Sequence, residues 1–255
     1  ATTKIENGTN NFNGEIKNGT LNIADGDNTF TNTVSSNTEI SGGTNNFGGN
    51  IVSDTLKISK GNNTFTGNVS ASTTVNGGNN DFQGEISTGT LSVANGNNTF
   101  SGTISSNTTN ISNGINTITG TFINSNVTIA GGDIRFGENT FADSNNTLNL
   151  TGGNINLADD VTTNYVINSL TSSEDAKYSI DVIFNGSTGV ADKILASSNS
   201  TGVITINSIK FNGNLTQNTT ITILDTTSSS INIKLADTFS DDNSYYYSGN
   251  KYTYN

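Results

Sequence analysis

"KGNNTFTGNVSAST" at residues 60–73 and "NGNNTFSGTISSNT" at residues 95–108 are near copies of one phrase, 35 residues apart. Each holds Gly, Asn and Phe in the order G-x-N-x-F. Aligned on the aromatic, the phrase recurs at Phe12, Phe30, Phe47, Phe65, Phe82, Phe100, Ile118 and Phe136, in steps of 18, 17, 18, 17, 18, 18 and 18 residues. Gly stands four positions before each of these, from Gly8, Gly26 and Gly43 onward to Gly114 and Gly132. Asn stands two positions before, at Asn10, Asn28, Asn45, Asn63, Asn80, Asn98 and Asn116, with Ile134 as the exception. Four positions after the aromatic comes Ile16, Val34, Ile51, Val69, Ile86, Ile104 or Phe122, and then a further apolar pair such as Leu21/Ile23 or Leu56/Ile58.

Within each unit the spacing is period 2, as N-x-F, G-x-I and L-x-I, which marks strands with one buried face. Three such strands per unit, punctuated by Gly, Asn and Asp, predict three faces and three turns. One unit is too small to bury its own apolar face, so the units must stack. The expected fold is all-β, a three-faced parallel β-solenoid of 17–18 residues per turn. Its coils rise by about 4.8 Å, which sets the Phe positions one above another as an inner aromatic column. Asn two places before Phe points to the same side, inward, where stacked amides can hydrogen-bond along the column. The Gly four places before is expected at a corner with positive φ. Thr38, Thr73 and Thr109 alternate with Leu21, Leu56 and Leu91, so the unit that duplicated is the 35-residue double turn.

The regular solenoid is expected over residues 1–150. From 151 to 255 the period blurs, strand-like runs such as "GVITINSIKF" lengthen, and all seven Tyr residues occur, from Tyr165 to Tyr254. Wider, irregular coils closing in a capping segment are expected there, with a separate β-sandwich as the alternative.

Composition narrows the function classes. Only 31% of residues are hydrophobic and 12% charged, so order must rest on few apolar residues per coil and many backbone hydrogen bonds. Pro is absent, which suits uninterrupted strand pairing. The net charge of −11, with ten scattered basic residues, disfavours nucleic acid as a partner. Without Cys there is no disulfide or thiolate metal site, and without His there is no Ser/His pair. No apolar run reaches membrane-spanning length. The opening "ATTKIENGT" reads as the start of a mature or excised piece.

The G-x-N-x-F/G-x-I coils, the stretch "YSIDVIFNGSTGVADKILASSNSTGVITINSIKF" and the ending "TITILDTTSSS…YYYSGNKYTYN" resemble the passenger region of a bacterial autotransporter or related β-helical surface protein. The phrase "ADKILAS" resembles one found near the ends of such passengers. The resemblance implies a right-handed β-helix, secretion across the outer membrane of a Gram-negative bacterium, and display at the cell surface. It implies partners among host or cell-surface glycans or proteins, while exposed solenoid ends would allow end-to-end pairing with other copies of the rod.

Candidate chemistry is sparse. Asp133 and Arg135 alternate on one face near Glu138, and read as a solvated pair on the outer wall. Glu15 and Glu85 share the "GEI" slot, but four coils put them about 19 Å apart, against the roughly 5–10 Å of a glycosidase pair. Asp159–Asp160 and Asp241–Asp242 read as loop residues, and Asp25 and Asp27 faintly resemble a calcium loop that the other coils do not repeat. Outward Thr pairs (Thr29/Thr31, Thr64/Thr66, Thr117/Thr119) resemble an ice-binding array, but the coils between break it. Tyr245, Tyr247, Tyr252 and Tyr254 are expected either to stack sugars or to pack the cap. The sequence therefore assigns no catalytic residue, no metal site and no cofactor. It points to a non-enzymatic structural or adhesive rod presenting polar ladders, with a polysaccharide-active enzyme, an ice-binding solenoid and a non-binding stalk as alternatives.

Overall fold

The computed structural model describes residues 1–215, 219–226, 229–237, 239, 244–247 and 250–253, with backbone alone at 18, 215, 226, 229 and the last two stretches. The repeat winds into a parallel β-solenoid, with strands and turns and no helix among the described residues. Each regular coil contributes a four-residue strand ending on the aromatic, such as Asp27–Phe30 or Asn62–Phe65. It then contributes a strand of seven or eight residues, such as Val34–Ile40 or Ile16–Ile23. Every strand pairs in parallel with its equivalents below and above: Phe65 with Phe47 and Phe82, Asn63 with Asn45 and Asn80, Leu56 with Thr38 and Thr73.

The three short strands expected per unit are thus two, because the second and third are one continuous strand. Its corner is a bulge. Ile16 and Leu21 are five positions apart, Val34 and Thr38 four, and the pairing register shifts at this place between the longer and the shorter coils. Where two 18-residue coils follow each other, Ile86–Val93 on Ile104–Ile111, the register runs on without a shift. A bulge bends its strand, so the bend replaces a separate turn, and the alternation of 17 and 18 residues is the alternation of bends.

The same bend accounts for Thr38 and Thr73 in place of Leu in the two 17-residue coils, whereas Thr109 stands in an 18-residue coil and pairs its hydroxyl with Ser106 Oγ at 2.6 Å. In the 17-residue coils burial alternates without a break, and the small Ser36 and Ala71 occupy the inside of the bend. Thr38 Oγ1 donates to the Ser36 carbonyl at 2.9 Å, and Thr73 Oγ1 to the Ala71 carbonyl at 2.8 Å. A buried hydroxyl is thereby satisfied within its own strand.

Phe12, Phe30, Phe47, Phe65, Phe82 and Phe100 stack with centroids 4.6–5.1 Å apart and planes within 5–8°. Ile118 interrupts the rings, and Phe136 meets Phe141 edge-on at 5.0 Å. Phe65→Leu keeps an apolar side chain in the column but removes two ring contacts. It is expected to lower the unfolding free energy by about 1–3 kcal/mol. Urea unfolding followed by circular dichroism reads this directly, and an unchanged midpoint would mean that ring stacking adds nothing beyond burial.

Beyond residue 150 the coils widen without leaving the stack. Ile134, Ile155, Tyr178 and Ile206 pair in succession, in steps of 21, 23 and 28 residues (134 to 155, 155 to 178, 178 to 206). Leu148 likewise pairs with Leu170. A third ladder opens, Asn164–Ile167 on Lys193–Ala196 on Leu224–Thr226. Strand Ala176–Gly186 overruns its coil and returns antiparallel as Thr188–Ala191, while Ser200–Leu215 runs parallel beside it. Near the C-terminus the backbones of Ser244–Tyr247 and Asn250–Thr253 pair as an antiparallel hairpin.

Candidate functional site

The Asn column is the most regular polar feature, and it faces inward. Asn28, Asn45, Asn63, Asn80, Asn98 and Asn116 are all buried. Each Nδ2 donates to the Oδ1 of the next Asn, at 2.9 Å from Asn10 and Asn28, 2.8 Å from Asn45 and Asn63, 2.7 Å from Asn80 and 2.8 Å from Asn98. The same nitrogen donates to the carbonyl three residues earlier, as Asn63 to Lys60 and Asn80 to Gly77. The column is therefore satisfied by itself and by the glycine corner, and presents nothing to a ligand. It holds the fold.

That corner runs outside the column. Gly8, Gly26, Gly43, Gly61, Gly78, Gly96, Gly114, Gly132 and Gly153 all have positive φ, between 81° and 109°. Gly43, Gly61, Gly78 and Gly96 floor a shallow groove flanked by Lys60, Asn62, Asn79 and Asn97. Asn79 Nδ2 donates to Asn62 Oδ1 at 2.8 Å across its wall, so amides stack outside the coil as well as inside.

The other outward groups lie as single rungs. Thr31, Thr66 and Ser101 are exposed, and exposed Asn13, Gly48 and Gln83 stand between them, so the hydroxyl array is broken coil by coil. Glu15 is paired with Lys17 at 2.9 Å and accepts Ser35 Oγ at 2.9 Å, and these contacts hold its carboxyl below the usual range. Asp25 Oδ1 accepts the Gly26 N–H at 2.8 Å, the role Asn7 plays for Gly8 at 2.7 Å, so this acid is a turn residue. Asp133 accepts Asn154 Nδ2 at 2.6 Å, and both Asp133 and Arg135 are exposed on the outer wall. The side chains of Tyr245, Tyr247 and Tyr252, and Tyr254 and Asp241–Asp242 as a whole, lie outside the described residues.

One cluster escaped the sequence reading. Asp181 and Asp192 are 0% and 1% exposed and face each other at the base of the hairpin formed by Ala176–Gly186 and Thr188–Ala191. The inward positions of the longer strand are Tyr178, Ile180, Val182 and Phe184. Asp181 is on the other face, and is covered because residues 158–163 strap across it. The Asp160 N–H donates to Asp181 Oδ2, the Thr163 N–H to Asp192 Oδ1 at 2.9 Å, and the Asp181 N–H to Asp192 Oδ2 at 2.7 Å. Asp160 adopts a φ of 75°, and its carboxylate takes Lys210 Nζ at 2.6 Å and Asn212 Nδ2 at 3.0 Å, which fastens the strap to Ser200–Leu215 as well. Burial pushes the Asp192 carboxyl up to about 7; its two N–H donors act against this, and the Asp181 and Asp159 charges add to it. Burial also raises Asp181. Both residues lie in stretches quoted above, "YSIDVIF" and "ADKILAS", and the one sequence signal was an acid set inside an apolar strand.

Among the described residues no group of three or more acids, Cys or His is placed to hold a metal ion, and no helix is long and apolar enough to cross a membrane. No known family profile matches the chain, and neither does any curated protein or solved structure.

Proposed function

We propose that this chain is the structural, adhesive rod of a secreted surface protein, an autotransporter-type passenger displayed on a Gram-negative cell, acting by attachment and not by catalysis. The observation that carries the reading is the registration of the exterior. Outer positions stay in register from coil to coil on a closed apolar and amide interior, and beside the glycine groove the same amide recurs at three successive coils, Asn62, Asn79 and Asn97, with Asn79 bonded to Asn62. These three amides stand about 4.8 Å apart, and a polymeric partner gains from engaging several of them at once. Glycans and extended matrix proteins at a cell surface have that repeating character.

The test is binding of the labelled 255-residue chain to a glycan and matrix-protein array, with and without calcium. Saturable binding that weakens when Asn62, Asn79 and Asn97 are changed together to Ala is expected. A blank array, from protein shown folded by circular dichroism, would replace adhesion with a stalk that only sets distance. Turnover of a polysaccharide on the same array would overturn the non-enzymatic reading.

A further inference from the structure

The two buried carboxyls at the hairpin base do more than close a turn. They join three segments: the strap 158–163, the strand Ala176–Gly186, and the junction between Thr188–Ala191 and Lys193–Ala196. Three of the links are backbone N–H groups given to carboxyl oxygens, beside two backbone pairs, Asp192 N–H to the Asp181 carbonyl at 3.0 Å and Lys193 N–H to the Thr163 carbonyl at 2.8 Å.

Yet the arrangement is unbalanced. Three N–H donors serve four carboxyl oxygens, and Asp181 Oδ1 is buried with no hydrogen-bond partner. A buried carboxylate oxygen without a donor is costly, and two adjacent buried carboxylates repel. The surrounding charges do not resolve this. The strap contributes Asp159 and Asp160, whose N–H groups favour ionised Asp181 while the Asp160 charge opposes it. Asn164–Ile167 contributes the buried, neutral Tyr165; Ser200–Leu215 contributes Lys210, which pairs with Asp160 and also favours ionised Asp181, against the larger effect of burial. Arg135 acts on Asp160 from the coil below, and Lys193 follows Asp192 in the chain.

We propose that Asp181 and Asp192 form a proton-operated latch, which holds the strap and hairpin closed on the solenoid while the pair retains a proton and loosens them when it is lost. With the proton present the pair carries a single negative charge, shared by the donors already in place. Loss of the proton to solvent adds a second buried charge that gains no new donor. The strap and the hairpin base are the parts that give way, because the amides of Asp160, Thr163 and Asp181 are bonded to these carboxyls and the inner column is not.

The sign of the linkage is opposite to ordinary acid unfolding. A carboxyl whose folded value lies above its unfolded one contributes stability that is full below about pH 4 and is lost as pH rises through about 7. For one proton, the opening equilibrium of strap and hairpin rises by up to about tenfold per pH unit across that window, then levels off.

The experiment is hydrogen–deuterium exchange by mass spectrometry on the whole chain from pH 5 to 8.5, corrected for intrinsic exchange. The segments read are 158–164 and 178–193, with 60–73 as an internal reference. Protection in the first two is expected to fall as pH rises while the reference stays level. Asp181→Asn keeps an oxygen for the Asp160 N–H and sets a nitrogen in place of the unpaired Oδ1. It is expected to raise protection at pH 8 above wild type and to flatten the profile. Asp192→Asn, which loses an acceptor, is expected to lower protection at pH 5 and to abolish the pH response. A level wild-type profile, or a wild-type slope retained in both variants, would sink the latch. Restoration of protection at pH 8 by calcium alone would equally overturn it, in favour of a cation at the pair.

Discussion

Asn63→Leu is expected to cost about 3–5 kcal/mol of unfolding free energy, more than a polar-to-apolar change in a buried column would ordinarily do. Asn63 sits midway in the ladder, accepting from Asn45 and donating to Asn80 and to the Lys60 carbonyl. Leucine has similar bulk, but it leaves an Asn45 N–H, Asn80 Oδ1 and the Lys60 carbonyl without these partners. Each buried orphan costs about 1–3 kcal/mol. Asn116 supplies the comparison, since its neighbour above is Ile134 and its links are to Asn98 and the Asn113 carbonyl. Asn116→Ile extends the apolar end of the column by one rung and is expected to cost about 1–3 kcal/mol. Equilibrium urea unfolding of both variants measures the difference. Equal losses at the two sites would mean that side-chain burial, not the ladder, sets the effect.

Gly61→Ala is the second large effect. Its φ is +100°, and a β-carbon there would lie 2.7 Å from the Gly43 carbonyl oxygen, in the backbone of the coil below. The clash cannot be relieved by rotating a side chain, so strain and forced separation of two coils add to about 3 kcal/mol or more. Gly8 has nearly the same φ, +93°, but its nearest neighbour is Asn10 Nδ2 at 3.9 Å. Gly8→Ala therefore carries only the left-handed backbone penalty, about 1–2 kcal/mol. The pair separates two reasons for a glycine that one substitution confounds. If both variants unfold at the same denaturant concentration, close stacking of the corners contributes nothing and conformation alone selects glycine. Because contacts in a solenoid run mainly between neighbouring coils, the Gly61 variant is also expected to broaden the transition.

What the sequence revealed follows from what repeats. Phe65, Asn63 and Gly61 recur at one spacing, so each stated its environment eight or so times over, and the columns, the inward amides and the positive-φ corner were all legible. The corner inside the longer strand was not, because the 17- and 18-residue steps show that one residue is added in alternate coils but not that it is a bulge within one continuous strand. Only the pairing of Val34 with both Ile16 and Ile51 exposes it. Asp181 and Asp192 were hidden for another reason. Eleven positions apart in sequence, they meet only because a strand outruns its coil and folds back, and nothing periodic announces an excursion. The tyrosines near the C-terminus fall where the period is lost, and their side chains lie outside the described residues.

The Asn ladder has one more property, which lies in its direction. From Asn10 to Asn98 one N–H of each amide points to the Asn of the later coil, and from Asn28 to Asn116 each amide oxygen accepts from the earlier one. Neighbouring backbone groups along a strand point alternately up and down and largely cancel, but these side-chain dipoles add, head to tail. The regular part of the solenoid is therefore electrically polar along its own axis, with its negative end at Asn10.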